Sequence, residues 1–199
     1  MLRRHLILAV AATALAVWLG PRLIIGARQS AAPLKLAPFL TTPSDVVDHM
    51  LRLAQVGPND VVYDLGCGDG RIVITAAKRY GAHGVGVDFD PQRVAESRAN
   101  AKAAGVESLV EFVEKDARKV DMTPATVVTL YLLNASNLEL RPILTKQLRP
   151  GARIVSHQFK MGDWEPEKTE VVSGQTEFVP GGNGSSTLYL WRADGRVRP

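Results

Sequence analysis

An apolar run, Val61-Val62-Tyr63, ends in an acid, Asp64, and glycines then stand at positions 66, 68 and 70 before an amphipathic stretch at 72–80. That order reads as strand, tight turn and helix. Glycine lets the backbone take φ > 0 and lets a ligand approach the main chain closely. The N–H groups of the helix start are expected to point at an acceptor. A second short strand, Gly84-Val85-Gly86-Val87, ends in Asp88, with Phe89 next. A carboxylate at the tip of the second strand of a β-α-β unit can accept hydrogen bonds from ribose hydroxyls. The chain is therefore expected to hold an adenosine-type cofactor; a glycine-rich turn without a ligand is the bland alternative.

Glycine spacing separates the possible cofactors. The dinucleotide fingerprint is G-x-G-x-x-G. Here the third glycine comes one position early, giving Asp64-x-Gly66-x-Gly68-x-Gly70. This resembles motif I of the class I S-adenosylmethionine (SAM) methyltransferases, and Asp88 stands in register with it.

The rest of the pattern alternates helices and strands. Thr42 is the expected N-cap of a first helix, with Pro43 at its first position and Val46, Val47, Met50, Leu51 and Ala54 on one apolar face. That helix either packs on the core or forms a lid over the cofactor. Asp90-Pro91 opens another helix, which ends at Ala104 before Gly105. Residues 110–113 form a third strand, ending near Lys115-Asp116. In such a fold Asp116 and the Ala117 N–H are candidates to meet an adenine ring; a solvated loop acid is the alternative for Asp116. Residues 125–133 read as a strand covered on both faces, 138–148 as a helix and 152–159 as a fifth strand. Residues 169–172 and 187–191 read as a closing hairpin joined by a loop at 180–186. The expected fold is α/β: a Rossmann-like, doubly wound, mostly parallel sheet with an antiparallel C-terminal hairpin.

A chain of 199 residues supports one domain with a sizeable core. Arg3, Arg4, Arg22, Arg28 and Lys35 all precede the first acid, Asp45; taking those five from the net +4 leaves the remainder at −1. A near-neutral domain argues against a nucleic-acid partner. Residues 6–20 form an uncharged apolar run behind Arg3 and Arg4, short of the roughly 20 residues of a full span. Two readings compete for residues 1–27: an uncleaved hydrophobic helix that anchors the chain to a membrane, and a signal peptide. Residues 28–38 then form a linker and 39–199 the catalytic domain. Flanking arginines on both sides leave the orientation open. SAM being an intracellular cofactor, a cytoplasmic catalytic domain is expected. The single cysteine, Cys67, reads as structural, and no metal-ligand spacing surrounds it.

The resemblance extends beyond motif I. Thr42-Pro43, Asp64 to Arg71, Gly84 to Asp88, Thr129-Leu130-Tyr131-Leu132, Ser156-His157 and Met161-Gly162-Asp163-Trp164 are similar to the lysine N-methyltransferase family that modifies the ATP synthase c subunit and the adenine nucleotide translocase. The resemblance implies a SAM-dependent enzyme, expected to be monomeric, that methylates a protein lysine near a membrane. The implied cofactor residues are Thr42, Asp64, Gly66, Gly68, Gly70, Asp88, Phe89, Asp116 and Ala117.

Methyl transfer from a sulfonium needs alignment and a neutral amine rather than a covalent enzyme intermediate. Tyr131 comes at the end of the fourth strand, and His157 and Asp163 at and after the fifth. All three are candidates to orient or deprotonate an amine; packing, a satisfied core histidine and a turn acid are the structural alternatives. Trp164 either walls the acceptor channel or covers the sheet edge. The Asn/Asp-Pro-Pro-aromatic signature of adenine and glutamine methyltransferases is missing after the fourth strand. Alternatives on the same scaffold are a small-molecule N- or O-methyltransferase and a non-catalytic SAM-binding membrane protein.

Overall fold

The computed structural model describes residues 40–173 and 184–199. The expectations for the hydrophobic segment and linker, and for most of the loop before the last strand, lie outside the described residues. Among the described residues no helix is long and apolar enough to cross a membrane.

Seven strands are present: β1 (Val61–Leu65), β2 (His83–Asp88), β3 (Val110–Glu114), β4 (Val127–Leu130), β5 (Arg153–His157), β6 (Lys168–Ser173) and β7 (Ser185–Arg192). They form one sheet in the order β3-β2-β1-β4-β5-β7-β6. The first five pair in parallel, and β7 runs antiparallel to both β5 and β6. This is the expected mostly parallel sheet with an antiparallel edge. The strand order reverses between β1 and β4, which opens a crevice beyond their carboxyl ends.

The helices are α1 (Ser44–Leu53), α2 (Arg71–Tyr80), α3 (Pro91–Ala104) and α4 (Asn134–Gln147). Strand side chains alternate between faces. Val62, Val127 and Val155 pack with α1, α2 and α3 on one face. Tyr63, Leu65, Val128, Leu130 and Ile154 pack with Leu140 and Leu144 of α4 on the other. A one-residue slip of any of these strands would carry a buried set to the wrong layer, so the register is fixed.

Helix α3 has the expected ends. The Asp90 carboxylate accepts from the Gln92 N–H at 2.8 Å, Pro91 takes the first helical position, and Gly105 closes the helix at φ 69°. Three expectations need correction. Thr42 does not cap α1: Pro43 holds that position with no side-chain cap bond. Strand β4 is four residues, shorter than expected, because Thr126 turns its hydroxyl to Asp60 and Leu133 is already exposed. Helix α4 starts four residues early. Its first turn is polar, and Asn137 is wholly buried, donating to Ser156 Oγ and the Phe159 carbonyl.

Helix α1 settles between its two readings. Val46, Val47, Met50, Leu51 and Leu53 are all buried, and the helix lies against α2, β5 and β7. It packs as core.

Candidate cofactor and acceptor site

Strand β1 delivers Asp64 and then a turn in which Gly66, Gly68 and Gly70 take φ of 82°, 54° and 80°. Gly70 is doubly required. Its left-handed backbone strains any other L-residue, and an added Cβ would stand 2.7 Å from the Phe112 ring and 2.8 Å from Ser97 Cβ.

The N–H groups of this turn are largely committed to the protein. Those of Gly66 and Cys67 donate to the Val87 carbonyl, and that of Gly70 to the Cys67 carbonyl. Asp88 receives the Gly68 N–H on Oδ2 and the Asp90 N–H on Oδ1, both at 3.0 Å. At the start of α2 the Arg71 N–H donates to Asp69 Oδ1 at 3.2 Å. The helix-start N–H groups were expected to point at an acceptor; the acceptor of the Arg71 N–H is the Asp69 carboxylate. A pyrophosphate would meet Asp69 head on, whereas SAM, which carries no phosphate, would not. Each Asp88 oxygen has accepted one bond and keeps a lone pair, so the ribose role proposed for it fits.

Three acids gather around the turn. Asp64 is 3 % exposed and accepts from Thr129 Oγ1 at 2.8 Å. Burial raises its pKa, the Thr129 bond opposes that rise, and the charges of Asp88 and Asp69 add to it; the result is about 7. Burial also disfavours ionised Asp69, yet the bonds and charge of Arg71 hold its carboxyl below the ordinary value. The ion pair is 2.6 Å, and Arg71 also donates to the Thr42 carbonyl at 2.8 Å. Thr42 therefore meets the turn through its backbone. Cys67 is buried and its thiol is pushed up, first by burial and then by Asp64 and Asp88. That suits a packing residue, not a nucleophile.

Phe89 is half-buried just past β2. Asp116 bonds Arg118 through both oxygens, the pair closing at 2.7 Å, and it also accepts from the Arg118 N–H. Those bonds hold its carboxyl below the usual range. It is thus a turn acid already tied down, with the buried Ala117 beginning a single 3-10 turn (Ala117–Lys119) behind it.

On the other side of the crevice the Tyr131 and His157 rings stand 4.1 Å apart between centroids. By the alternation of β1, β4 and β5, Asp64, Thr129, Tyr131 and His157 share the α1–α3 face. The end of β4 adjoins the glycine turn, since a Cβ on Gly66 would lie 3.1 Å from Leu132. His157 is 1 % exposed, with Nε2 2.9 Å from Ser186 Oγ and Nδ1 without a partner. Burial drops its pKa to about 4, so it is neutral at physiological pH. Burial raises the Tyr131 phenol, which is neutral too.

Asp163 is not brought to this pair. Its side chain is 92 % exposed and bonded to Arg141 of α4, which holds it below the usual carboxylate range. Past Lys160 the chain crosses to the α4 face, where Met161 is buried. Trp164 goes with it, packing 5.9 Å from Trp191 and accepting the indole N–H on its carbonyl at 2.8 Å. It packs on the α4 face of the sheet against β7, not at an edge strand.

Sequence reasoning missed Phe159 and Ser186, and quoted Thr129 and Arg71 only as parts of motifs, without a role. The Phe159 ring stacks at 6.5 Å on Tyr131. It is aimed there by Gln158, which takes φ 65° and bonds β7 through its N–H to the Thr187 carbonyl at 2.7 Å. Thr129 did carry a signal: it is the polar residue inside the apolar β4 run.

Residues 64–168 match the family model described as ANTKMT methyltransferase domain. A protein-lysine N-methyltransferase of Saccharolobus islandicus is 44 % identical over 155 residues, covering 77 % of this chain and 92 % of that protein. The mouse adenine nucleotide translocase lysine N-methyltransferase is 31 % identical over 163 residues, covering 81 % and 71 %. The solved structure of a protein described as an RNA methyltransferase from Salinibacter ruber, in complex with S-adenosyl-L-homocysteine, aligns with a TM-score of 0.71. It is 49 % identical, over 80 % of this chain and 97 % of that one. With the family model matching more than half of the chain and a relative 44 % identical over 77 % of it, the chain belongs to the ANTKMT methyltransferase domain family and is a SAM-dependent methyltransferase.

Proposed function

We propose that the enzyme transfers a methyl group to the side-chain amine of a protein lysine. The observation that carries this reading is an uncharged acceptor end: Tyr131 in tilted ring contact with a buried, neutral His157, with Asp163 turned away to Arg141. A lysine amine starts near pKa 10.4 and attacks only when neutral, and a desolvated site without an ionised carboxylate favours the neutral form. The relatives from Saccharolobus islandicus and mouse, both described as lysine N-methyltransferases, support the choice of acceptor.

SAM, when bound, supplies the activated methyl on a sulfonium. Asp88 would bind the ribose, Asp64 and the turn of Gly66, Gly68 and Gly70 would hold the rest of the cofactor, and Phe89, Ala117 and Asp116 would border the adenine. Tyr131 orients the amine through its hydroxyl, and His157 holds the Tyr131 ring from behind. His157, neutral down to about pH 4, adds no positive charge beside the amine, and turnover should rise with pH until the bound amine is deprotonated.

The Salinibacter ruber relative favours a second reading, methylation of RNA. The −1 balance beyond Lys35 speaks against it, since phosphate contacts need clustered cations. One product analysis separates the two. The full-length protein is incubated with methyl-labelled SAM, cell membranes, soluble protein and total RNA. Label on protein lysine supports the proposal; label on RNA or a small metabolite, with none on lysine, overturns it.

We further propose that residues 1–27 anchor the enzyme to a membrane, with domain 39–199 on the cytoplasmic side. The support is the uncharged run 6–20 behind Arg3 and Arg4. Deleting the residues before Phe39 should release the protein from membranes without loss of SAM binding. A truncated protein that still sediments with membranes after a salt wash would count against the anchor.

A further inference from the structure

Asp64 and Thr129 are direct partners across the sheet: β1 and β4 pair in parallel with Asp64 opposite Thr129. Thr129 is wholly buried and donates its hydroxyl to Asp64 Oδ1 at 2.8 Å. Two residues further along β4, Tyr131 reaches the acceptor end, and one residue beyond Asp64 and Leu65 the glycine turn begins. The Thr129 hydroxyl is therefore the polar link between the strand that serves the acceptor and the acid that opens the cofactor turn. A valine would keep the packing volume at this pleated site but would leave the buried Asp64 carboxyl without its hydroxyl donor, so Thr129→Val isolates the hydroxyl and not the shape.

We propose that Thr129 is a positioning residue for cofactor binding, its hydroxyl keeping the buried Asp64 carboxylate ionised and aimed at the cationic methionyl end of SAM. The proposal rests on the reading of Asp64 as a cofactor residue. Asp64 is a carboxylate in poor surroundings: burial opposes its charge, and Asp88 at the tip of β2 and Asp69 in the turn repel it. Cys67, also in the turn, is a thiol and neutral. Among the described residues, Arg71 is the cation at the turn, and it is bonded to Asp69. Thr129 is what favours the ionised form from the protein side, and SAM, with its ammonium and sulfonium, is the cation that completes it. A raised pKa near 7 places the change of charge inside the working range. SAM affinity should thus fall by about tenfold per pH unit below that midpoint, as the carboxyl takes up a proton.

The test is calorimetric titration of the full-length, detergent-solubilised protein with SAM from pH 5.5 to 9. The wild type should show an affinity midpoint near pH 7. Thr129→Val should move that midpoint upward, with the full loss of affinity below the wild-type midpoint and the gap closing as pH rises past the variant's own midpoint. Thr129→Ser keeps the hydroxyl and should restore the wild-type profile. Asp64→Asn should bind weakly, with the Asp64 midpoint gone. Thermal denaturation without SAM shows whether each variant is folded, and a merely structural role for Thr129 would lower affinity equally at every pH. An unchanged midpoint in Thr129→Val, beside an impaired Asp64→Asn, overturns the role of Thr129. Wild-type affinity in Asp64→Asn overturns the underlying reading of Asp64 and the proposal with it.

Discussion

The two sides of the crevice are built on opposite plans. At the tips of β1 and β2, acids are buried or half-buried and their bonds assigned: Asp88 to the N–H groups of Gly68 and Asp90, Asp69 to Arg71, Asp64 to Thr129. At the tips of β4 and β5 the groups are aromatic and neutral, and one buried nitrogen, His157 Nδ1, has no partner. The first plan suits a ligand that is always the same and carries its own positive charge. The second suits an acceptor that must arrive without one. Binding and turnover should therefore be separable by mutation, as they are when an interaction is made only in the transition state.

The largest effect is expected at the acceptor side. Tyr131→Ala should lower turnover on the order of a hundredfold, about 2.7 kcal/mol of barrier, with the SAM dissociation constant within about twofold of wild type. Steady-state rates beside calorimetry check this, and an equal loss in both quantities would dissolve the distinction between the two sides.

Asp88→Ala acts on the other side. It removes a ribose acceptor and strands two N–H groups, so SAM binding should weaken by about 1–3 kcal/mol. Unaltered affinity in a folded variant would remove Asp88 from the cofactor site.

Asp64 tests whether the buried acid is retained for binding at a cost to the fold. Its folded pKa of about 7 lies above the ordinary carboxylate value, so between roughly pH 4 and 7 the folded state holds a proton that the unfolded state has lost. Its contribution to stability is present below that window and lost as pH rises through it. Asp64→Asn should then stabilise the cofactor-free protein at pH 8 by about 1–2 kcal/mol, less than the full shift because the new amide must also be satisfied. Thermal denaturation at pH 5 and pH 8 measures it, and equal gains at both would contradict the linkage.

The smallest effect belongs to Asp163. Exposed and paired with Arg141, it should change neither turnover nor SAM affinity by more than about twofold when replaced by Asn. A large loss of turnover alone would bring it back to the acceptor.

The same contrast governs what could be read from the sequence. The cofactor side is local: Asp64 to Arg71 is one turn, and Asp88 follows one helix later, so periodicity and glycine spacing carry it. The sheet was legible for the same reason, through alternating strands and helices. The acceptor side depends on distant parts of the chain. Asp163 and Trp164 follow β5 closely, yet Arg141 and Trp191 draw them to the opposite face. Ser186 meets His157 only because β7 inserts next to β5. The start of α4 was hidden by its polar first turn, whose Asn137 is buried to bond β5 and the turn beyond it. Tertiary hydrogen bonds, not local propensity, made that segment helical.

The carboxylate of Asp69 at the start of α2 bears on what else an adenosine pocket would admit. Nucleoside di- and triphosphates carry the same adenine and ribose as SAM, and an open helix N-terminus would welcome their phosphates. Here that position is filled by an anion which Arg71 keeps ionised. A nucleotide that seated its adenosine would drive phosphate oxygens against Asp69, with Asp64 and Asp88 close by. Competitive inhibition by ATP should accordingly be weak, and methylation would stay coupled to the supply of SAM and its demethylated product, not to the energy charge of the cell.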